Sequence, residues 1–491
     1  MNTQQLREKM IQEFLGRWFL LGGIPASDTY KRTMWDTDED LAAKRASYHL
    51  TMRKGLPENG ANNRLIVAGH EWLLRQWFGR PLSRQVIETA IEWYTQHSAV
   101  RSFPVALFQS LYSQDGSDEV YLPIDVWGFP GGQTFLKGVP MLSLEGPGGL
   151  GSFLEPHTCR YFAPVIHATK SRLMYEAAGD RWAEFGYRSD TDELMTVAKL
   201  LSLYVGGGGR PILTSADNVE FMFPGLFKTL GTLGHEFVCA LQDFSKGLDE
   251  AEREAMELFV SRHERSSLLC DLVDAETVGL ENAIRVMKNH PDKLGIGIRV
   301  DSGDIRGQVV MYAKRMIEEG LGQRLIVFED EVSPNKVREV QSHTAQEVAD
   351  GNVPFPGAGG YFNRGLHRDT VSAAFKRSQT GDNPNVKFSN SPGKESVPGT
   401  VRVYEQGNKL VVADVTESVD GTPLFVQLVK QGRIVNAEDM NFPVQAQRAN
   451  ETWDKYQCVT YSPRITEWMK RFSEMRVEAQ ARASNKNLVT V

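Results

Sequence analysis

Three short apolar runs in the middle of the chain each end on a carboxylate, and the stretches between them carry helical spacing. Ser267-Leu268-Leu269-Cys270 leads into Asp271, with Asp274 just beyond. Leu294 through Val300 leads into Asp301-Ser302-Gly303-Asp304, and Arg324 through Phe328 leads into Glu329-Asp330. Continuous apolar runs of this length, bounded by polar turns, read as strands buried on both faces. Between them Val278, Ala283, Val286 and Met287 mark one helix, and Val309, Ala313, Met316 and Ile317 mark the next. Strand, helix, strand, helix is the pattern of a parallel α/β sheet or barrel, since parallel neighbours need a crossover between them. Ligands of such folds gather at the carboxyl ends of the strands. A row of acids at that edge points to a cation, a cationic intermediate or a Mg-bound phosphate ligand. A single Asp after a strand is more often the cap of the next helix. Three strand ends in a row shift the balance toward a site.

Other segments offer chemistry of their own. Gly231-Thr232-Leu233-Gly234-His235 follows an apolar stretch. Its small residues let backbone approach a ligand, and His235 is a base, metal ligand or phosphoryl acceptor by type. The plainer alternative is a packed, hydrogen-bonded histidine. Phe185-Gly186-Tyr187-Arg188 places an arginine beside two aromatics. A ring can stack a planar substrate and a guanidinium can fork onto phosphate or carboxylate; a core aromatic pair with a surface arginine is the competing reading. Gly357-Ala358-Gly359-Gly360 reads as a glycine turn able to cradle phosphate on backbone N–H groups, with Arg364, Arg368, Lys376 and Arg377 following. A solvated basic face is the alternative. No GxxxxGK[ST] occurs, so there is no P-loop.

The balance of 55 basic against 62 acidic residues, net −7, argues against a general nucleic-acid binder and leaves room for a local basic pocket. With 491 residues the chain can hold two or three domains. Four dispersed cysteines with no CxxC fit a reducing cytoplasm. Met1 to Met10 lacks a signal-peptide layout, and no run of 18 apolar residues exists, so neither export nor a membrane span is expected. Leu65–Phe78 and Ser83–His97 have amphipathic helical spacing. Val120–Leu122 and Thr134–Leu144 read as strands around the turn Phe129-Pro130-Gly131-Gly132. Gly146 to Gly149 reads as a break, Leu150–Ala177 as helix after an irregular start, residues 377–400 as a polar loop, Thr400–Val412 and Thr422–Val429 as antiparallel strands, and the segment from Pro463 as a basic amphipathic helix with a frayed tail. The division expected is an N-terminal α/β domain over 1–145, completed by 400–491, and a barrel domain over 146–400.

These pieces ask for a phosphorylated anionic ligand with Mg²⁺, a planar partner and an acid-lined cavity. Phosphoribosyl transfer fits. So does a Mg-dependent barrel enzyme that stabilises an enolate, although that chemistry wants a Lys or His base which the three strand ends do not supply. A non-catalytic phosphometabolite sensor is the third reading.

The order and spacing of the segments resemble the nicotinate phosphoribosyltransferase family and its nicotinamide-using relative. The resemblance spans roughly residues 25–400. It is carried by Ser27 to Lys31, Phe185 to Arg188, Ser215 to Val219, Gly231 to His235, Asp271 to Asp274, Ile298 to Asp304, Glu329-Asp330, Gly359-Gly360 and Arg368-Asp369. It implies the irregular α/β barrel of type II phosphoribosyltransferases, joined to a second α/β domain built from both chain ends, in a homodimer with shared active sites. It implies attack of the pyridine nitrogen on C1 of phosphoribosyl pyrophosphate, with ATP as co-substrate and Mg²⁺ present. Under that resemblance Asp271 and Asp301 stabilise an oxocarbenium-like transition state. Phe185, with Tyr30 from a partner subunit, sandwiches the ring. Arg299 and Arg188 meet ring or phosphate, and Gly359, Gly360 and Arg368 hold the 5-phosphate. Asp330 and Lys376 join the substrate-binding set, and His235 is the histidine phosphorylated from ATP. Asp217 departs from the nicotinate pattern toward the nicotinamide one, whereas Gly231-Thr232-Leu233-Gly234-His235 and Asp301-Ser302-Gly303-Asp304 resemble the nicotinate branch, so nicotinate is the first reading and nicotinamide the second.

Overall fold

In the computed structural model the three acid-terminated runs are adjacent strands of one parallel sheet. The structure describes residues 4–5, 8–9, 27–348, 354–389, 395–436 and 441–488. Most of Met1 to Met10, part of the polar segment 377–400 and the last residues of the C-terminal tail lie outside them. Two units result: Lys170–Gly365, and Met1–Thr169 with Leu366–Val491.

The first unit holds seven strands: β1 (Ala183–Glu184), β2 (Ile212–Thr214), β3 (Phe227–Thr229), β4 (Arg265–Leu269), β5 (Gly295–Val300), β6 (Ile326–Phe328) and β7 (Phe355–Ala358). Their order is β3-β2-β1-β7-β6-β5-β4, and every pairing is parallel. The sheet is therefore a curled half-barrel. The chain runs outward from β1 to β3 and returns from β4 to β7. Ser266 Oγ, on edge strand β4, donates to the carbonyl of Gly231, just past the other edge strand, at 3.0 Å. The intervening helices are α1 (Glu193–Gly206), α2 (Asp217–Met222), α3 (His235–Ala240), α4 (Leu248–Arg262), α5 (Val278–Asn289), α6 (Ile305–Glu318) and α7 (Pro334–Glu347). Leu280, Ala283, Val286 and Met287 of α5 are buried, as are Val309, Tyr312, Ala313 and Met316 of α6. Ile317 departs from its expected place: it is 42% exposed, and Tyr312, wholly buried, fills the inward face instead.

The second unit is a mixed α/β domain whose main sheet is drawn from both chain ends. Strand Ala373–Thr380 pairs antiparallel with Arg45–Met52, which pairs with Pro140–Pro147; Val426–Lys430 pairs with Asp125–Gly128. A four-stranded sheet over Val401–Gln406, Lys409–Asp414, Thr422–Pro423 and Cys458–Tyr461 adjoins helix Pro463–Leu488. Several local expectations need correction here. Leu65–Phe78 begins as strand Arg64–Ile66, paired with Thr134–Leu136, and turns helical only at His70, after Gly69. Thr134–Leu144 is two strands, split at Gly138 with φ of +84°. Strand Pro140–Pro147 passes through the supposed break directly into helix Gly148–Phe153. Arg377–Thr380 is strand, not loop.

Two histidines of this unit predict its response to acid. Burial holds His49 down to about 3, with Arg402 adding to the effect, and holds His70 down to about 4. Both enter the fold neutral. Below their ordinary value of 6.5 the unfolded chain takes up protons that the native state refuses. Stability is therefore fully present above about pH 6.5 and falls as pH drops toward 4, by about 1.4 kcal/mol per pH unit for each ring. Melting temperatures taken from pH 7 down to 4.5 should fall accordingly, and less steeply in His49→Gln. A flat profile in the wild type would mean that both rings are solvated.

Candidate active site

The carboxyl edge of the half-barrel separates the acids into two kinds. Asp274 accepts from the backbone N–H of Thr277 at 2.8 Å, and Asp304 accepts from that of Gly307 at 3.2 Å. Asp304 thus caps α6, and Asp274 braces the turn that leads into α5, whose cap position is Thr277. Asp271 and Asp301 do neither. Asp271 Oδ1 accepts from His235 Nε2 at 2.9 Å, and its Oδ2 accepts from Ser302 Oγ at 2.9 Å. His235, Asp271 and Asp301 bring their donor atoms within 4.8 Å of one another. Two half-buried carboxylates suit Mg²⁺, which takes oxygen ligands and keeps positions for waters and phosphates; an imidazole is not the ligand it selects. Asp271 and Asp301 therefore fit the ion, and His235 is better read as a partner of Asp271.

Arg299 organises the other side. Its Nη1 donates to Thr232 Oγ1 at 2.8 Å, and its guanidinium lies 3.7 Å from Asp301 and 3.7 Å from Glu329. Burial pushes the Glu329 carboxyl up to about 7; Asp301, with which it shares a hydrogen bond, pushes the same way, and Arg299 and Arg188 oppose. Past β6, Asp330 and Glu331 take φ of +63° and +46°, a left-handed pair that non-glycine residues adopt at some cost. Asp330 is exposed at this turn.

Phe185 follows β1, its N–H donating to Ala358 O at 3.0 Å. Its ring lies over Gly357: a Cβ there would stand 2.8 Å from the ring and 2.9 Å from Glu329 Cγ. Only glycine lets the ring and Glu329 settle together on the sheet. Gly357 and Ala358 thus belong to β7, and the turn starts at Gly359. Above Gly360 there is open space. Arg188 is exposed in the turn Tyr187–Ser189, and Asp217 is exposed at the first position of α2, beyond β2.

The half-barrel unit thus brings His235, Asp271, Asp301, Arg299, Phe185, Arg188, Asp217, Asp330, Gly359 and Gly360 to the carboxyl ends of its strands. Tyr30, Arg368 and Lys376 belong to the other unit. Tyr30 is 54% exposed on helix Thr29–Asp36. Arg368 pairs with Asp369 at 3.0 Å, and Lys376 pairs with Glu155, which also binds Lys31. Sequence reasoning passed over Thr232, Ser302 and Glu329 as individual site residues. Glu329 carried a signal, since it ends the third acid-terminated run.

The half-barrel with acids and an aromatic–arginine loop at its carboxyl edge defines the class, a type II phosphoribosyltransferase fold. Residues 181–387 match the model of the nicotinate phosphoribosyltransferase (NAPRTase) family. A nicotinate phosphoribosyltransferase of Bacillus subtilis (strain 168) is 25% identical over 283 residues, 56% of this chain and 53% of that one. One of Chromobacterium violaceum is 28% identical over 167 residues, 34% of this chain and 40% of that one. The chain thus spans about half the length, or less, of the curated relatives it matches. The crystal structure of human nicotinic acid phosphoribosyltransferase shares the fold with a TM-score of 0.63, covering 91% of this chain and 99% of that one at 16% identity. A nicotinate-nucleotide pyrophosphorylase from Pyrococcus furiosus follows at 0.57, covering 87% and 95%, at 15% identity. Among the described residues no helix is long and apolar enough to cross a membrane.

Proposed function

We propose that this protein is an enzyme that transfers the phosphoribosyl group of phosphoribosyl pyrophosphate to nicotinate, coupled to ATP hydrolysis, in NAD salvage. The observation that carries the proposal is the array Asp271, Asp301, Arg299 and Glu329 beside the Phe185 ring. The pyridine ring stacks on Phe185, and Arg299 and Arg188 offset the charge of its carboxylate. Glu329, its carboxyl raised by burial, carries less charge beside that anion than an ordinary carboxylate would. The pyridine nitrogen bonds to C1 as the C1–oxygen bond to pyrophosphate breaks, and both electrons of that bond leave with pyrophosphate. Positive charge develops on the ribose, and Asp301 and Asp271 face it with fixed negative charge. Asp271 and Asp301 would also hold Mg²⁺, which when bound neutralises charge on the leaving pyrophosphate. Gly359 and Gly360 offer backbone N–H groups to the 5-phosphate, Asp330 is a partner for the ribose hydroxyls, and Arg368 and Lys376 are further phosphate candidates. His235, oriented through Nε2 by Asp271, is the acceptor of phosphoryl from ATP. The free cysteines Cys159, Cys239, Cys270 and Cys458 support a reducing cytoplasmic setting.

The test is release of pyrophosphate and formation of mononucleotide from each pyridine, with and without ATP. No product from any pyridine would end the proposal. Asp217 keeps nicotinamide as a second reading, because a carboxylate facing the ring's 3-substituent would accept from an amide and repel a carboxylate by several kcal/mol. Its exposure at the start of α2 favours nicotinate. We expect a higher kcat/KM for nicotinate, changed less than about threefold, under 1 kcal/mol, in Asp217→Ser. A wild type that prefers nicotinamide, with the preference reversed in Asp217→Ser, would overturn the choice.

We further propose a homodimer in which Tyr30 serves the ring site of a second copy; the exposed phenol supports this. Mixing Tyr30→Ala chains with Asp301→Asn chains should restore activity above that of either alone. A fully active monomer would refute it.

A further inference from the structure

One group of buried charges in the half-barrel has no part in the reaction proposed above. Lys199, inside α1, is fully buried, and its ammonium lies 2.7 Å from Glu184 and 2.8 Å from Asp190; the side chains of these carboxylates are 0% and 4% exposed. Glu184 also accepts from the Gly186 N–H at 2.8 Å and from Thr214 Oγ1 at 3.1 Å. Asp190 also accepts from Thr196 Oγ1 at 2.7 Å and from Asn363 Nδ2 at 2.8 Å. Burying an ammonium and two carboxylates is costly, and apolar side chains of similar volume would fill the space with equal or greater stability. The group is better explained by what it joins. Glu184 directly precedes Phe185. Asp190 closes the turn that carries Arg188. Asn363 stands in the turn that follows Gly359 and Gly360. The two segments also touch through backbone: a Cβ on Gly186 would fall 2.4 Å from Gly359 O and 2.6 Å from Glu184 Oε1.

We propose that Lys199 is a positioning residue. Through Glu184 and Asp190 it locks the Phe185–Arg188 segment and the Gly359–Asn363 turn into one arrangement, so that the ring-binding and phosphate-binding groups are presented together. The functional half of this inference rests on the roles proposed above for those two segments; the structural half stands without them.

The experiment pairs hydrogen exchange with kinetics on the full chain, comparing wild type, Lys199→Met and Asn363→Ala. In Lys199→Met, exchange should quicken in both 185–190 and 359–364 while the segment 301–306 stays unchanged. The KM values for pyridine and for phosphoribosyl pyrophosphate should rise tenfold or more, with kcat held within about threefold. Asn363→Ala leaves the three charges in place and cuts only the link to the glycine turn. It should quicken exchange in 359–364 and raise mainly the KM for phosphoribosyl pyrophosphate. Exchange that rises evenly through the whole unit, or a kcat that falls with unchanged KM values, would reduce Lys199 to a structural role and overturn the proposal. If Lys199→Met does not fold, Asn363→Ala decides alone, and unchanged exchange and KM there overturn it. A wild type that transfers to no pyridine would remove the functional reading, while the exchange pattern would still decide whether the lock exists.

Discussion

Replacing Asp301 with asparagine should lower kcat for phosphoribosyl transfer about a hundredfold and leave the fold intact. The asparagine keeps the shape of the side chain and removes its charge. Loss of a fixed charge aimed at charge developing in the transition state is worth on the order of 3 kcal/mol. Folding should be spared for two reasons. The cap of the following helix is Asp304, not Asp301. Arg299 also keeps Glu329 and the Thr232 hydroxyl as partners. The variant should carry a second mark. Asp301 helps hold the Glu329 carboxyl up to about 7, so Glu329 should ionise at lower pH once that charge is gone. Single-turnover rates and melting temperatures decide the matter. A variant with wild-type turnover, or one that unfolds, would return Asp301 to a structural role.

The acids illustrate how far residue order reaches. That β4, β5 and β6 would end on Asp271, Asp301 and Glu329 was legible because an apolar run buried on both faces has few other ways to fold, and its first polar residue marks its end. Which of the acids would brace a turn or a helix start was not legible. Asp274 and Asp304 stand no differently in the sequence from Asp271 and Asp301, and only the closed hydrogen bonds to Thr277 and Gly307 separate them. The glycine cluster misled for a related reason. Gly357 looked like turn chemistry, but its place in β7 follows from the Phe185 ring and Glu329 packing over it, a tertiary demand that composition does not announce. Lys199 escaped notice for the opposite reason. A lysine among Leu200, Leu201 and Leu203 looks like a surface residue of an amphipathic helix, and its partners Glu184 and Asp190 precede it in the chain and meet it only in the fold. In the other unit, strands drawn from both chain ends pair across more than 300 positions, as Arg45–Met52 does with Ala373–Thr380. Local periodicity carries no information about such pairing, so the strand at Arg377–Thr380 read as loop.

His235→Ala should abolish stimulation by ATP and leave a slow transferase that still works without it. The geometry supports separate roles for the two halves of the site. Asp301, Arg299 and Glu329 form one charged group, whereas His235 is joined to Asp271 on the other side, with Asp271 in turn accepting from Ser302. A carboxylate that accepts the Nε2–H proton fixes the tautomer and leaves Nδ1 as the nucleophilic nitrogen. The imidazole is 44% exposed, so an incoming phosphoryl group can reach it without local unfolding. In the phosphorylation step the Nδ1–phosphorus bond forms as the bond to the departing diphosphate breaks, and ADP leaves. The wild type treated with ATP should therefore carry an acid-labile, base-stable phosphate on the peptide containing His235, and His235→Ala should carry none. Asp271→Asn should lower the rate of that labelling, because an amide holds the ring less firmly, without removing the phosphate site. The measurements are intact-mass spectrometry after ATP treatment and transfer rates with and without ATP. Full stimulation of His235→Ala by ATP, or a phosphate that persists in it, would make His235 a structural partner of Asp271 and move the coupling of ATP to another residue.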